Sequence, residues 1–170
     1  MDRSILSELY QRYHKELYLY LYSLCKNHAE TEDLLQETFL KALLSLPEEH
    51  TNVRAWLYLV GRNLFLNRRK KDQKMLLVKD TATFPTDKHL KESEFINDLI
   101  KEEQKQFLYQ ALFTLSPVKR EILTLHYWSG FTHREIAAMM KLTPENVRVL
   151  AHRAKKELKQ NRKVNGYDLS

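Results

Sequence analysis

Residues 132–154 read THREIAAMMKLTPENVRVLAHRA, and this stretch decides the fold. Thr132 followed by Glu135 is a capping box, in which side chain and backbone at a helix start satisfy each other. Thr143 before Pro144 marks a second start, because a proline at the first helical position gives up no hydrogen bond. Two helices joined by a short turn follow. Counting from His133, a helix-turn-helix needs inward apolar residues at the fourth, eighth, tenth, fifteenth and eighteenth places, and a small residue at the fifth, where the helices touch. Ile136, Met140, Leu142, Val147 and Leu150 stand at the apolar places and Ala137 at the small one. Lys141 occupies the position where the backbone turns left-handed and glycine is favoured, a departure costing about 1 kcal/mol. The second helix then presents Glu145, Asn146, Arg148, Val149, His152 and Arg153 outward, to a DNA major groove. Arg148 and Arg153 suit guanine edges or phosphates, and Val149 suits a thymine methyl. A helical hairpin with a solvated basic face fits the same pattern.

Outward from this stretch helix signals dominate and strand signals are nearly absent. Leu6, Leu9, Tyr13, Leu17, Tyr20 and Leu24 recur at the three-and-four spacing of an amphipathic helix. Tyr10, Tyr13, Tyr18, Tyr20 and Tyr22 fall in it and are expected to pack with their hydroxyls outward. Asn27 and His28 interrupt the pattern. Thr31 is read as the cap of a second helix, whose Glu32 and Asp33 suit the positive end of its dipole. That helix runs to about Ser45, ahead of Pro47. A third extends from near Asn52 to about Lys71, with Gly61 inside it at a cost of about 1 kcal/mol. Lys71 to Lys91 reads as a linker, and the helical period returns at Phe95, Leu99, Phe107, Leu108, Leu112 and Leu115. Ser116 before Pro117 is one more start, so short helices of about 8 to 16 residues are expected beyond it. The expected fold is all-α: two small helical domains, 1–72 and 96–163, joined by a flexible linker at 73–95 and followed by a tail at 164–170.

The 170 residues hold 28 Lys and Arg against 22 Asp and Glu, with 3 Gly and 1 Cys. So few glycines and a lone Cys25 exclude a phosphate loop, a disulfide scaffold and the common zinc sets. His126, His133 and His152 read as surface or capping residues. No enzyme activity, cofactor or metal is expected. Charges recur every few residues, at the N-terminus as elsewhere, so neither a signal peptide nor a segment for membrane insertion is visible, and cytoplasmic residence is expected. The net charge of +6 says little by itself, but its distribution is ordered. Glu30 to Glu49 carries six acids and one base, Arg54 to Lys71 six bases and no acid, and Lys141 to Lys163 eight bases against two acids.

Within the first basic block Arg54, Tyr58, Arg62, Phe65 and Arg69 fall on one helical face that alternates cations with rings, opposite Trp56, Leu57, Val60 and Leu64. Exposed, such a face suits unstacked single-stranded bases, with Asn63 beside it. Buried against the first two helices, its rings are only core. On the second helix Asp33, Gln36, Glu37, Leu40 and Lys41 share one face, and Leu35, Phe39, Ala42 and Leu46 another. A leucine within an acidic stripe fits a basic protein partner or plain solvent.

Four linked motifs carry a resemblance. DLLQETF at 33–39, VRAWLY and VGRN within 53–63, LSPVKRE at 115–121, and the helix-turn-helix ending in VRVLAHRA at 147–154 resemble the extracytoplasmic-function group of bacterial sigma factors, in order and spacing, from about Leu9 to Leu158. The resemblance implies that Asp33, Gln36, Glu37, Phe39 and Leu40 dock on the β′ clamp coiled coil of core RNA polymerase, with the β subunit a further partner. It implies that the third helix and the loop from about Leu46 to Arg54 recognise and open the −10 element. There Asn52, Arg54, Trp56, Tyr58, Arg62, Asn63 and Arg69 would meet single-stranded DNA, with a flipped base held near Asn63 and Trp56. Thr132, Thr143, Glu145, Arg148, Val149, His152 and Arg153 match the contacts to the double-stranded −35 element. An anti-sigma factor is an implied restraining partner. The loop is shorter and more acidic than in many relatives, and Val149 stands where many carry a polar residue.

Two other classes compete. A stand-alone helix-turn-helix regulator shares the pattern from Leu115 to Leu158 but usually carries an upstream receiver of alternating strands and helices, which is not visible here. A helical adaptor that binds proteins and no DNA is disfavoured by the two basic blocks.

Overall fold

The computed structural model describes residues 3–46, 52–78 and 110–164. Every regular element among them is helical. The chain divides into two compact units, Met1–Leu90 and Lys91–Ser170. The division falls outside the described residues, as do residues 79–95 of the expected linker, the loop at 47–51 and the expected apolar positions Phe95, Leu99, Phe107 and Leu108.

The first unit contains α1 (Arg3–Cys25), α2 (His28–Ser45) and α3 (Val53–Val78), which pack pairwise. Lys26 turns left-handed at φ 55°, and Asn27, rather than Thr31, caps α2 by accepting from the Glu30 N–H at 2.8 Å. Thr31 lies one turn inside, buried, with its hydroxyl donating to the Asn27 carbonyl. Asparagine wins because it sits at the point where the chain is still extended, as a cap requires. Tyr18 and Tyr20 are buried, contrary to the outward expectation, and Tyr18 stays satisfied because its hydroxyl hydrogen-bonds His28 Nδ1. Leu17, Leu21, Leu34, Ala42 and Leu57 complete the core. At Gly61 α3 approaches both other helices closely: a Cβ there would lie 3.1 Å from Leu21 Cδ2 and 3.3 Å from Thr38 Oγ1. The helix continues past Lys71 and across the expected 72/73 boundary to Val78.

The second unit contains α4 (Pro117–Leu123), a π-helical turn (Thr124–Trp128), α5 (His133–Met140) and α6 (Pro144–Val164). Pro117 opens α4, but the Ser116 side chain makes no capping bond. The Thr124 hydroxyl donates back to the Arg120 carbonyl, a bond that bends helices, and the wider turn begins there. Gly130 closes it at φ 73°, a conformation only glycine takes freely. Thr132 and Glu135 form the expected capping box. Ile136, Ala137 and Val147 are buried and Met140, Leu142 and Leu150 half-buried; Met139, which the spacing did not single out, is buried too. At 21 residues α6 exceeds the expected length, because Ala154 and Leu158 extend the core and Glu157 holds Lys119 of the α4 segment at 2.7 Å.

Lys141 adopts φ 56°, ψ 44°, the left-handed turn anticipated for it. Its side chain is exposed, so Lys141→Gly removes only the backbone strain. The second unit is expected to gain about 1 kcal/mol, read as a higher midpoint in urea with an unchanged slope.

Candidate docking and DNA-binding surfaces

On α2 the helical repeat leaves Asp33, Gln36, Leu40, Lys41 and Leu44 in solvent. Leu40 is 54% exposed and Leu44 74%, which is unusual for leucines placed in one row. Glu37 is half-buried at the edge of this row, its carboxylate 2.9 Å from Arg68. Phe39 does not belong to it. Only 5% exposed, it packs edge-on against Tyr10 with ring centroids 5.0 Å apart, so its expected contact with a partner is corrected to a core role. Leu44 is the member that motif matching missed, although its position one turn beyond Leu40 makes it legible.

On α3 the expected cation-aromatic face is turned inward. Tyr58, 1% exposed, packs on Tyr20 at 5.0 Å and cannot stack on a base as it stands, which corrects its expected role. Arg54 covers the Tyr58 ring and is fixed by Glu16 of α1 at 2.7 Å. Burial works against the Arg54 charge, and the Glu16 hydrogen bond and charge overcome it, lifting its pKa. Arg69 lies over the Phe65 ring and bonds Glu30 and Asp72 at 3.3 and 3.5 Å. Acids on α1 and α2 have therefore pulled this stripe against the bundle. The outward stripe is instead Leu59, Asn63, Leu66, Asn67 and Lys70, with Trp56 and Arg62 half-buried beside it. Asn52 begins the helix, its Oδ1 accepting from the Ala55 N–H at 3.1 Å.

In the second unit Glu145, Arg148, Val149, His152 and Arg153 are all exposed along α6. Thr132 and Thr143 stand at the starts of α5 and α6, where their Oγ1 atoms accept from the N–H groups of Glu135 and Asn146. Burial, the His126 ring and the Arg148 charge together hold the His133 imidazole below the usual histidine range. Among the described residues no group of His, Cys, Asp and Glu is placed to hold a metal ion, and no helix is long and apolar enough to cross a membrane. Burial, reinforced by Glu30, pushes the Cys25 thiol up to about 12, which keeps it protonated and unreactive at neutral pH.

A helical unit with an exposed leucine row on α2, followed by a helix-turn-helix unit with basic side chains exposed along α6, fits a DNA-binding transcription protein. Residues 9–75 match the sigma-70 region 2 family and residues 106–158 the sigma-70 region 4 family. The chain is 31% identical over 163 residues to the ECF RNA polymerase sigma factor SigM of Bacillus subtilis (strain 168), covering 94% of this chain and 98% of that one. It is 27% identical to the RNA polymerase sigma factor YlaC of the same organism, over 94% and 92% of the two chains. Among solved structures it is similar to the sigma factor RpoE from Bartonella quintana in complex with the anti-sigma factor NepR, with a TM-score of 0.74 at 25% identity over 96% and 99% of the two chains. The chain belongs to the extracytoplasmic-function RNA polymerase sigma factors, which direct core polymerase to promoters.

Proposed function

We propose that the two units divide the work of promoter-specific initiation, with residues 1–72 docking on core polymerase and handling the −10 element and residues 96–163 reading the −35 element across the intervening linker. The row Asp33, Gln36, Leu40 and Leu44 on α2 carries this reading, because exposed leucines framed by polar groups are the anchors a protein interface buries. Its occupant is the β′ clamp coiled coil. Behind it, α3 offers Asn63 and Trp56 to an unstacked base of the −10 strand, with Arg62 and Lys70 for its phosphates. Capture of that base offsets a few kcal/mol of lost stacking and pairing, so opening and recognition are one event. Arg54 and Arg69 act from behind, holding α3 in place through Glu16 and Glu30. The α6 face enters the −35 major groove.

The protein is a non-enzymatic initiation factor with no cofactor, working in the cytoplasm. An anti-sigma factor is its proposed inhibitor, supported by the likeness to a sigma factor solved with one. Run-off transcription with purified core tests the whole assignment: promoter-specific initiation is expected only when both are present. Tight, specific duplex binding without core and no initiation would sink it in favour of a stand-alone regulator. In the same assay Arg148→Ala is expected to cost about 1 to 3 kcal/mol at one −35 position, as for a base contact. An equal loss on every sequence would make it a phosphate contact.

A further inference from the structure

The turn before α5 gathers side chains that the helix-turn-helix itself does not need. His126, in the π-helical turn, bonds the Phe131 carbonyl through Nδ1 at 2.9 Å. That oxygen only accepts, so Nδ1 donates, and Nε2 is not engaged in this bond. His133, the first residue of α5, sits with its ring centroid 4.5 Å from that of His126. From α6, Arg148 acts on His133 through its charge, and Lys155 lies 5.7 Å from the centroid of the exposed Tyr127 ring. The carboxylate of Glu145 faces Arg148 at 3.9 Å, and both side chains are largely in solvent, where such a pair is worth little.

The neighbouring ring and the Arg148 charge both oppose a proton on His133. Burial first, then His126 and Arg148, already set His133 against its charged form. An anion reverses the balance, because it cancels the repulsion and accepts from the charged rings. The same turn lies at the start of the first helix of the helix-turn-helix, the element that crosses the DNA backbone in this motif.

We propose that His126 and His133 form a proton-linked site for a backbone phosphate of duplex DNA, so that the second unit takes up a proton as it seats on the −35 element. The inference rests on the reading of α6 as the duplex-binding helix. Its signature is a pair of opposite pH dependences. Without DNA, a histidine set below its usual range in the fold favours the unfolded chain as pH falls, so acid weakens the unit. With DNA, the phosphate raises the histidine, and acid tightens the complex until the free protein is protonated as well.

The test uses the full-length chain and a short labelled DNA duplex of random sequence, titrated by fluorescence anisotropy at constant ionic strength. With a shift of about one unit on binding, affinity is expected to be about fivefold higher near pH 6 than near pH 8. His126→Asn combined with His133→Gln is expected to abolish most of that difference, read as the ratio of the affinities at the two pH values; the asparagine amide can still donate to the Phe131 carbonyl. His133→Gln alone, at a half-buried surface position, repeats the measurement if the double variant folds poorly. An upward shift of the His133 ring titration by NMR on adding duplex gives a readout that a purely structural histidine would not move. An equal pH slope in parent and variants would overturn the inference and leave the DNA-binding reading intact. Failure of the parent to bind duplex at either pH would overturn the inference, while the reading of α6 is decided by the transcription assay with core.

Discussion

Leu40→Glu is expected to leave the first unit folded and to lower its affinity for core RNA polymerase about a hundredfold, equivalent to roughly 2.7 kcal/mol. Burial of one leucine in an interface is worth about 1.5 to 3 kcal/mol, and a carboxylate placed there adds a desolvation cost. In the free protein the residue is 54% exposed, so the substitution disturbs no core contact. Competitive binding to core with a labelled parent protein reads the affinity, and circular dichroism reads the fold. Unchanged affinity with a native spectrum would move the docking surface off α2. Leu44→Glu should show a similar loss if the row, and not a single residue, forms the interface.

Gly61→Val is expected to destabilise the first unit by about 3 kcal/mol, since its neighbours cannot yield. Leu21 is fully buried, and the Thr38 hydroxyl is held by its bond to the Leu34 carbonyl at 2.7 Å. The gain in helix propensity from replacing glycine, below about 1 kcal/mol, does not offset this. For a unit of this size the melting midpoint should fall by about 15 °C. A thermal scan that follows the tyrosine-rich first unit reads it, and an unmoved midpoint would show that α3 can slide away from α1 and α2.

The helix-turn-helix was the most legible part of the chain because its determinants are local. Caps, a proline and six positions fixed by one turn geometry all lie within residues 132–154, and Lys141 takes the left-handed angle despite not being glycine. The orientation of α3 was not legible. A face of cations and rings reads equally well as outward or inward, and what turned it inward were Glu16 and Glu30, which hold Arg54 and Arg69 from more than thirty residues away in sequence. Phe39 shows a different failure. Its helical phase alongside Leu35 and Ala42 placed it in the core, and only the motif match placed it on the surface; the phase was the better guide. Leu44 was available to the same phase argument. Lys26, the second left-handed lysine, lies in a two-residue connection between α1 and α2 that offers no spacing to read.

The two threonines at the starts of α5 and α6 carry a consequence of their own. Four side chains cap helices about equally well, and stability alone would not choose among them. As a cap, a threonine oxygen accepts a hydrogen bond from the backbone N–H and still has its own hydroxyl to donate, whereas a carboxylate can only accept. On the proposed reading of α6 as the duplex-binding helix, Thr132 and Thr143 would keep that donor for the DNA polyanion. An aspartate would close the helix as firmly and greet the same polyanion with like charge. Of the side chains folding would accept at these two positions, threonine is then among those that would suit the nucleic acid too.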